Sequence, residues 1–453
     1  MENISTLRRL ADIISDAAST MERVYARSEM PLPSLDEPFN PDDPAETLKQ
    51  DIEVEAARIT VNSAHSFHIS SCLLAASDLN IVEFLREAGP QGADVKKIAA
   101  PSGVDPDLLA RILRLLATHH IFREVSPGVF ANNRVSSTLD KGKPSSVANG
   151  NRRERLTGSS GIAALVEHTA DFGGKAAVYL SDSLMGDPTG KTIPFNIAFK
   201  TDKAFFDWEH GTQEEIAYSL ARFAVAMQGT AATEPADLIF QGFDWSLLPK
   251  NGIIVDVGGG IGHLSLTIAK KYPQLRVVLQ DLGPPIEISK NYWRETFPAH
   301  LEANKVEFQV HDFFTSQPVK DAAIFLLRYI LHDWNDAQAI IILGHLRAAA
   351  QPTTRLVILE KIIPFASVED VKRSEAHAVP GATRPTAEAP LLPNWGVATA
   401  DLYLYDVTMH ALVGGVERTL QGFWDIFHKS GWNMIEVHHS SGSQVSQLVA
   451  APT

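Results

Sequence analysis

From Gly252 onward, short apolar runs alternate with amphipathic segments, and the first run opens into a loop holding four glycines, Gly258, Gly259, Gly260 and Gly262. The runs cover residues 253–257, 276–280, 306–310, 323–327 and 355–359. Strand and helix in strict alternation demand a mostly parallel sheet covered by helices. Residues 432–437 and 444–450 read as a terminal antiparallel pair. The expected fold class is therefore α/β, with a Rossmann-like sheet in residues 246–453. Within that region, residues 366–396 are rich in Ala, Pro, Glu and Thr and read as a surface insertion of low complexity.

Upstream the spacing is helical. Leu7, Leu10, Ile13, Ile14 and Ala17 recur at helix period, and a proline-rich, acidic stretch at 31–44 reads as a linker. Residues 1–60 are taken together as N-terminal helices and linker. Residues 61–150 have the order helix, helix, hairpin. Helix periodicity covers 73–85 and 105–120, the second with Asp105 as cap and Pro106 in its first turn. A hairpin follows, residues 122–125, a Ser-Pro-Gly turn, then 129–131. This is a winged-helix pattern. The residues 106–116 that would read DNA are mostly apolar, so a scaffold or dimerisation role is preferred over base recognition. Residues 151–245 form a helical connection in which Phe205, Phe206 and Trp208 precede an amphipathic stretch ending at Met227.

Charge supports that preference. The chain carries 40 basic and 54 acidic residues, a net −14, and this field repels phosphate backbones and anionic lipid. No nucleic-acid or membrane partner is expected. With 45% hydrophobic residues a large core can form. Cys72 is the single cysteine, which excludes an internal disulfide and suits a reducing compartment. No secretory signal or spanning apolar run is evident. A cytoplasmic location is the expectation.

The glycine loop follows Asp256 and leads into a helix. Such a loop lets backbone approach a ligand closely, but many nucleotide cofactors use one. Asp281 ends the second strand about 20 residues past the loop, where a carboxylate can accept both ribose hydroxyls. Asp312 ends the third strand, placed for the adenine edge. All three acids lie at carboxyl ends of adjacent strands, where ligands bind in open parallel sheets. The chain lacks a tyrosine with a lysine four residues on, and it lacks the phosphate-loop lysine motif.

After the fourth strand comes Leu327-Arg328-Tyr329-Ile330-Leu331-His332-Asp333-Trp334. His332 sits just past the strand end, on the cofactor side. An imidazole titrates near neutrality and suits removal of a hydroxyl proton. Glu360, at the end of the fifth strand, and Glu417 can orient it and stabilise its cation.

These stretches resemble one family: the plant-caffeate and fungal type of SAM-dependent O-methyltransferases. The resemblance runs over about residues 66–450. It rests on Val255 to His263, Leu279-Gln280-Asp281-Leu282, His311-Asp312-Phe313-Phe314, Leu331 to Asp336, and Glu417-Arg418-Thr419. It implies a class I methyltransferase sheet preceded by a mostly helical winged-helix dimerisation domain, hence a homodimer. It implies S-adenosyl-L-methionine as cofactor, held by Asp256, Gly258, Gly260, Gly262, Asp281, Leu282, Asp312, Phe313 and Arg328. Plant members often carry lysine at the position of Arg328, so contact geometry there can differ. His332, Glu360 and Glu417 are the implied catalytic set. Phe223, Met227, Asp333, Trp334 and Met409 are assigned to the acceptor.

A phenol ionises at about 10, within reach of a positioned imidazole, whereas an aliphatic alcohol does not. The expected reaction is methylation of a phenolic or enolic hydroxyl on a small, polyketide-like secondary metabolite. No metal is expected: the pairs His119-His120 and His438-His439 lack ligand spacing. One alternative stays open. Some fungal relatives keep the SAM site and catalyse dehydration or pericyclic steps without methyl transfer.

Overall fold

The computed structural model describes residues 6–27, 46–148, 154–187, 189–208, 211–367 and 375–453. The linker expected at 31–44 lies outside them. The chain divides into two units, residues 1–68 and 69–453. The first contains the helices Thr6–Arg27 and Glu46–His65. Ile13, Ile14, Ile59 and Val61 on these helices are exposed. The boundary expected at 60–61 falls inside the second helix.

The second unit begins with the winged-helix region. One helix was expected over 73–85. Two are present, Phe67–Asp78 and Ile81–Ala88, separated at Asn80, whose φ of 53° puts it in the left-handed region and breaks the helical path. The helix Pro106–Thr118 starts as read: the Asp105 side chain accepts from Asp107 N–H, and Pro106 occupies the first turn. Strands β1 (Ala93–Asp94), β2 (Arg123–Ser126) and β3 (Val129–Ala131) form a small sheet in the order β1-β3-β2.

The large sheet comprises β4 (Ile253–Val257), β5 (Arg276–Asp281), β6 (Val306–Val310), β7 (Ala322–Arg328), β8 (Arg355–Lys361), β9 (Trp432–His439) and β10 (Val445–Pro452). Its order is β6-β5-β4-β7-β8-β10-β9. The first five strands run parallel, and β10 is antiparallel to both β8 and β9. The order reverses at β4: the chain goes outward to β5 and β6, then returns across β4 to β7. That reversal opens a crevice at the carboxyl ends of β4 and β7, the place where such sheets bind ligands.

Alternation along the strands fixes the two faces. Val255, Phe325, Leu327 and Ile358 pack on one face against Ile342, Leu346, Phe423, Phe427 and Trp432. Their neighbours Ile254, Ile324, Leu326, Val357 and Leu359 pack on the other against Leu238, Ile239, Trp245 and Ile268. Each such side chain contributes roughly 1.5–3 kcal/mol on burial. This two-sided core holds the strand ends, and therefore the site, in place.

The surface insertion expected at 366–396 needs correction. Residues 368–374 are outside the described residues, but Ala376, Val379 and Ala382 are buried in the first of these two cores. Val437 N–H in the outer strand β9 donates to Pro380 O. Arg384 donates from Nε to His439 Nδ1 at 2.7 Å and from Nη2 to Ser446 Oγ at 2.6 Å. The segment thus covers a sheet edge whose backbone groups need partners. Its Ala- and Pro-rich composition conceals this, because alanines contribute little apolar signal and the partners lie on strands distant in the chain.

Candidate active site

The loop after β4 forms a cradle. Gly258, Gly260 and Gly262 hold φ of 67°, 59° and 75°, where glycine has no Cβ penalty. Nothing stands within 4 Å of where a Cβ on Gly260 would lie, so that face is open to a ligand. Asp281 backs the loop. Its Oδ2 accepts from Gly260 N–H and its Oδ1 from Leu282 N–H, each at 2.7 Å. A carboxylate has lone pairs left beyond these two, so it can still accept a pair of ribose hydroxyls. Asp256 is buried with Oδ2 unpartnered, and burial pushes its pKa up to about 6. Asp312 accepts from Phe314 N–H at 2.9 Å, and the Phe313 ring lies against the Gly258 side of the loop. An open glycine cradle with a fixed carboxylate behind it fits an adenosyl ligand.

Past β7 the chain turns sharply. Tyr329 has φ 53°, and Ile330 and Leu331 donate their N–H groups to Glu360 Oε1 at 3.0 and 2.9 Å. Glu360, fully buried at the end of β8, therefore shapes the turn that presents His332. His332 Nδ1 is 2.8 Å from Glu417 Oε1, which fixes Nδ1 as the protonated nitrogen and leaves Nε2 for other partners. Asp333 Oδ1 is 3.5 Å from that Nε2. Tyr329 stacks on the imidazole with centroids 5.3 Å apart.

Glu417 reaches His332 because the two backbones touch. Val416 N–H donates to His332 O at 2.8 Å, and a Cβ on Gly415 would lie 2.0 Å from that oxygen. Only glycine permits the approach. Arg418 then ties the turn down, donating to Leu331 O and Trp334 O at 2.6 Å and to Asp336 Oδ1 at 2.9 Å. Glu417 N–H is itself held by Asp406 Oδ1 at 2.9 Å.

Three carboxylates surround one imidazole. Burial alone would lower the His332 pKa, but the charges of Asp333, Glu360 and Glu417 and the Glu417 hydrogen bond override it, raising the pKa to about 10. Burial and neighbouring carboxylates raise Glu360 to about 7 against the opposing pull of His332. Asp333 rises to about 6, again by burial first. The cluster binds protons as a set rather than one group at a time. Donor atoms of His332, Glu360 and Glu417 lie within 4.8 Å of one another, so the same three groups have the spacing of a metal-ligand set.

The other residues expected at the site divide. Arg328 is committed to Glu234: Nη2 donates to Glu234 Oε2, while the Tyr329 hydroxyl donates to Oε1 of the same carboxylate. Leu282 is exposed, and its backbone serves Asp281. Trp334 packs edge-on against Phe313 and Phe314, with centroids 5.9 and 4.8 Å away. Phe223 joins an aromatic group with His168, Phe205 and Phe206. Met227 is exposed and Met409 half-buried. Sequence reasoning missed Glu234, Tyr329 and Arg418. The Glu234 pairing spans 94 residues and leaves no local signal. Arg418 was visible only as a motif neighbour of Glu417.

With this arrangement in view, similarity to known proteins is specific. The O-methyltransferase domain family matches residues 180–380, and the O-methyltransferase dimerisation domain matches residues 61–142. The 4-O-methyltransferase 1 of Phanerochaete chrysosporium is 38% identical over 96% of both chains. The chain belongs to the O-methyltransferase family and is a SAM-dependent O-methyltransferase of the class I fold. Among solved structures, the mitomycin 7-O-methyltransferase MmcR superposes with TM-score 0.66 at 23% identity, covering 89% of this chain and 100% of its own. A structure titled "A Pericyclic Reaction enzyme" superposes with TM-score 0.64 at 20% identity, covering 97% and 99%. Likeness at that identity is a likeness of fold; the 38% relative is what speaks for methyl transfer.

Proposed function

We propose that His332 is the general base of a methyl transfer to a phenolic or enolic hydroxyl, oriented by Glu417 and positioned by Glu360. The observation that carries this is the His332 Nδ1–Glu417 Oε1 contact of 2.8 Å, which leaves Nε2 to take the proton. Bound S-adenosylmethionine supplies an electrophilic methyl group on a sulfonium. Asp281 and the Gly258–Gly262 backbone would hold its adenosyl part, and Asp312 and Phe313 its adenine side. His332 supplies the remaining need, a sink for the hydroxyl proton. A phenol ionises at about 10, and His332 stands near the same value, so an imidazole that has first given up its own Nε2 proton is basic enough to take the hydroxyl proton. An aliphatic alcohol, with a far higher pKa, gains no such match. Phe223, Met227 and Met409 are proposed to border the acceptor, and Asp333 to stand between it and the imidazole.

The chain is proposed to act as a homodimer assembled through residues 61–150, on the strength of the dimerisation-domain match and the exposed Val61 and Leu108. A cytoplasmic location is proposed from the single cysteine; no helix among the described residues is long and apolar enough to cross a membrane.

The test of the base is His332→Ala with isotopically labelled methyl donor. Turnover should fall by about 10²–10⁴-fold, while affinity for the cofactor stays within twofold to threefold, on the order of RT. Turnover of acceptor without label in the product would refute methyl transfer. Full activity in the alanine variant would refute the role of His332.

A further inference from the structure

Glu234 belongs neither to the cofactor cradle nor to the carboxylates around His332, yet its side chain is 8% exposed and both of its oxygens are engaged. It stands just past the helix Gln213–Ala232 and reaches the carboxyl end of β7. Oε2 accepts from Arg328 Nη2, and Oε1 accepts from the Tyr329 hydroxyl. The Arg328 guanidinium also lies 5.1 Å from the centre of the Tyr329 ring. Burial, with the Glu234 charge adding to it, pushes the Tyr329 pKa well up, so the hydroxyl stays protonated and remains a donor. A carboxylate suits this place because it offers one acceptor oxygen to each donor. An amide has a single acceptor oxygen and would set its own NH2 against the second donor.

The tyrosine needs such a tether. Its φ of 53° lies in the left-handed region, which a residue with a Cβ occupies only where its surroundings hold it. Its N–H donates to Leu359 O at 3.2 Å, which fixes the backbone, and Glu234 fixes the far end of the side chain. Between those two points the ring stacks on His332, tilted by 28° with centroids 5.3 Å apart. The hydrogen bond that orients the imidazole is at Nδ1, to Glu417 at 2.8 Å. A planar ring held at one edge can still tip out of its plane, and a neighbour across its face removes that freedom. Displacing a reacting group by about 1 Å can cost about 10²-fold in rate.

We infer that Glu234 is a positioning residue: anchored by Arg328, it pins the Tyr329 ring against the face of His332 and so aims Nε2 at the acceptor hydroxyl. The inference rests on the proposed role of His332 as base and adds the group that holds its plane. Glu234 touches neither cofactor nor acceptor in this role and acts through Tyr329 alone.

A resonance rather than a rate reports the placement of the ring. The full chain, carrying carbon-13-labelled histidine and saturated with S-adenosylhomocysteine, would show a Cε1–Hε1 signal for His332, assigned by its loss in His332→Ala. The ring current of a stacked tyrosine displaces such a signal. Tyr329→Phe keeps a ring without the tether, and Glu234→Gln keeps the size of the side chain without both acceptors. Each should move the His332 signal from its wild-type position. The double variant should move it no further than the larger single change, because both cut the same tether. Glu234→Asp, with two acceptor oxygens on a shorter stem, should return part of the displacement. The calorimetric stoichiometry of S-adenosylhomocysteine counts folded sites in every variant. Turnover is read at saturation on whichever of 1-naphthol, 2-naphthol and the dihydroxynaphthalenes the wild type methylates. It should fall about 10–100-fold in each single variant, with KM within about threefold. An unmoved resonance in both single variants overturns the proposal, and so does a displaced one with kcat within about twofold of wild type. The resonance decides alone if none of these phenols is methylated. Turnover that survives His332→Ala would refute the base, a failure distinct from an unmoved resonance.

Discussion

Replacing Glu417 by glutamine tests the electrostatics of the site more sharply than removing His332. The amide keeps an oxygen able to accept from His332 Nδ1, where Glu417 Oε1 now lies at 2.8 Å, but the charge is gone. A hydrogen bond to a charged partner contributes roughly 1.5–3 kcal/mol, and one pKa unit corresponds to about 1.36 kcal/mol. The substitution should therefore lower the His332 pKa from about 10 by about 1–2 units. The reactive complex has lost one proton from the pair formed by His332 and the acceptor hydroxyl, so kcat rises as pH climbs toward the His332 pKa. Lowering that pKa moves the rise to lower pH by the same amount and leaves a weaker base on the plateau. The assay is kcat from pH 6 to about 10.5, with labelled methyl donor and acceptor both saturating. The expected result is a midpoint displaced downward by about 1–2 units with a reduced plateau. An unmoved midpoint with only a reduced plateau would mean that Glu417 merely positions the ring, and the account of the raised pKa would fail.

Other outcomes follow from the same geometry. Asp281→Ala removes the acceptor of both Gly260 and Leu282 N–H and should weaken cofactor binding by about 10–100-fold in calorimetry; unchanged affinity would remove Asp281 from the site. Light scattering at micromolar concentration should report twice the 49.5 kDa chain mass, and a monomer there would refute assembly through residues 61–150.

Much of the site was legible because its residues sit at strand ends. Asp256, Asp281, Glu360 and His332 each terminate or follow an apolar run, and a parallel sheet brings such ends to one edge regardless of loop length. The winged-helix start at Asp105 was equally readable, since a cap and a first-turn proline are local signals. Where signals were local but weak, boundaries slipped: Asn80 splits an expected helix by taking up a left-handed conformation that its neighbours' spacing does not announce.

By itself, then, the sequence determined the succession of strands in a mostly parallel sheet, the glycine cradle, and the residue types gathered around a hydroxyl's proton. Tertiary structure decided how they act on one another. Glu234 reaches Arg328 and Tyr329 across 94 and 95 residues of intervening chain, Gly415 lets Glu417 close on His332, and residues 376–384 cover a strand edge that composition had left to solvent. Each is a contact between segments distant in the chain. Local propensity carries no record of such contacts, because they exist only once the core has placed both backbones.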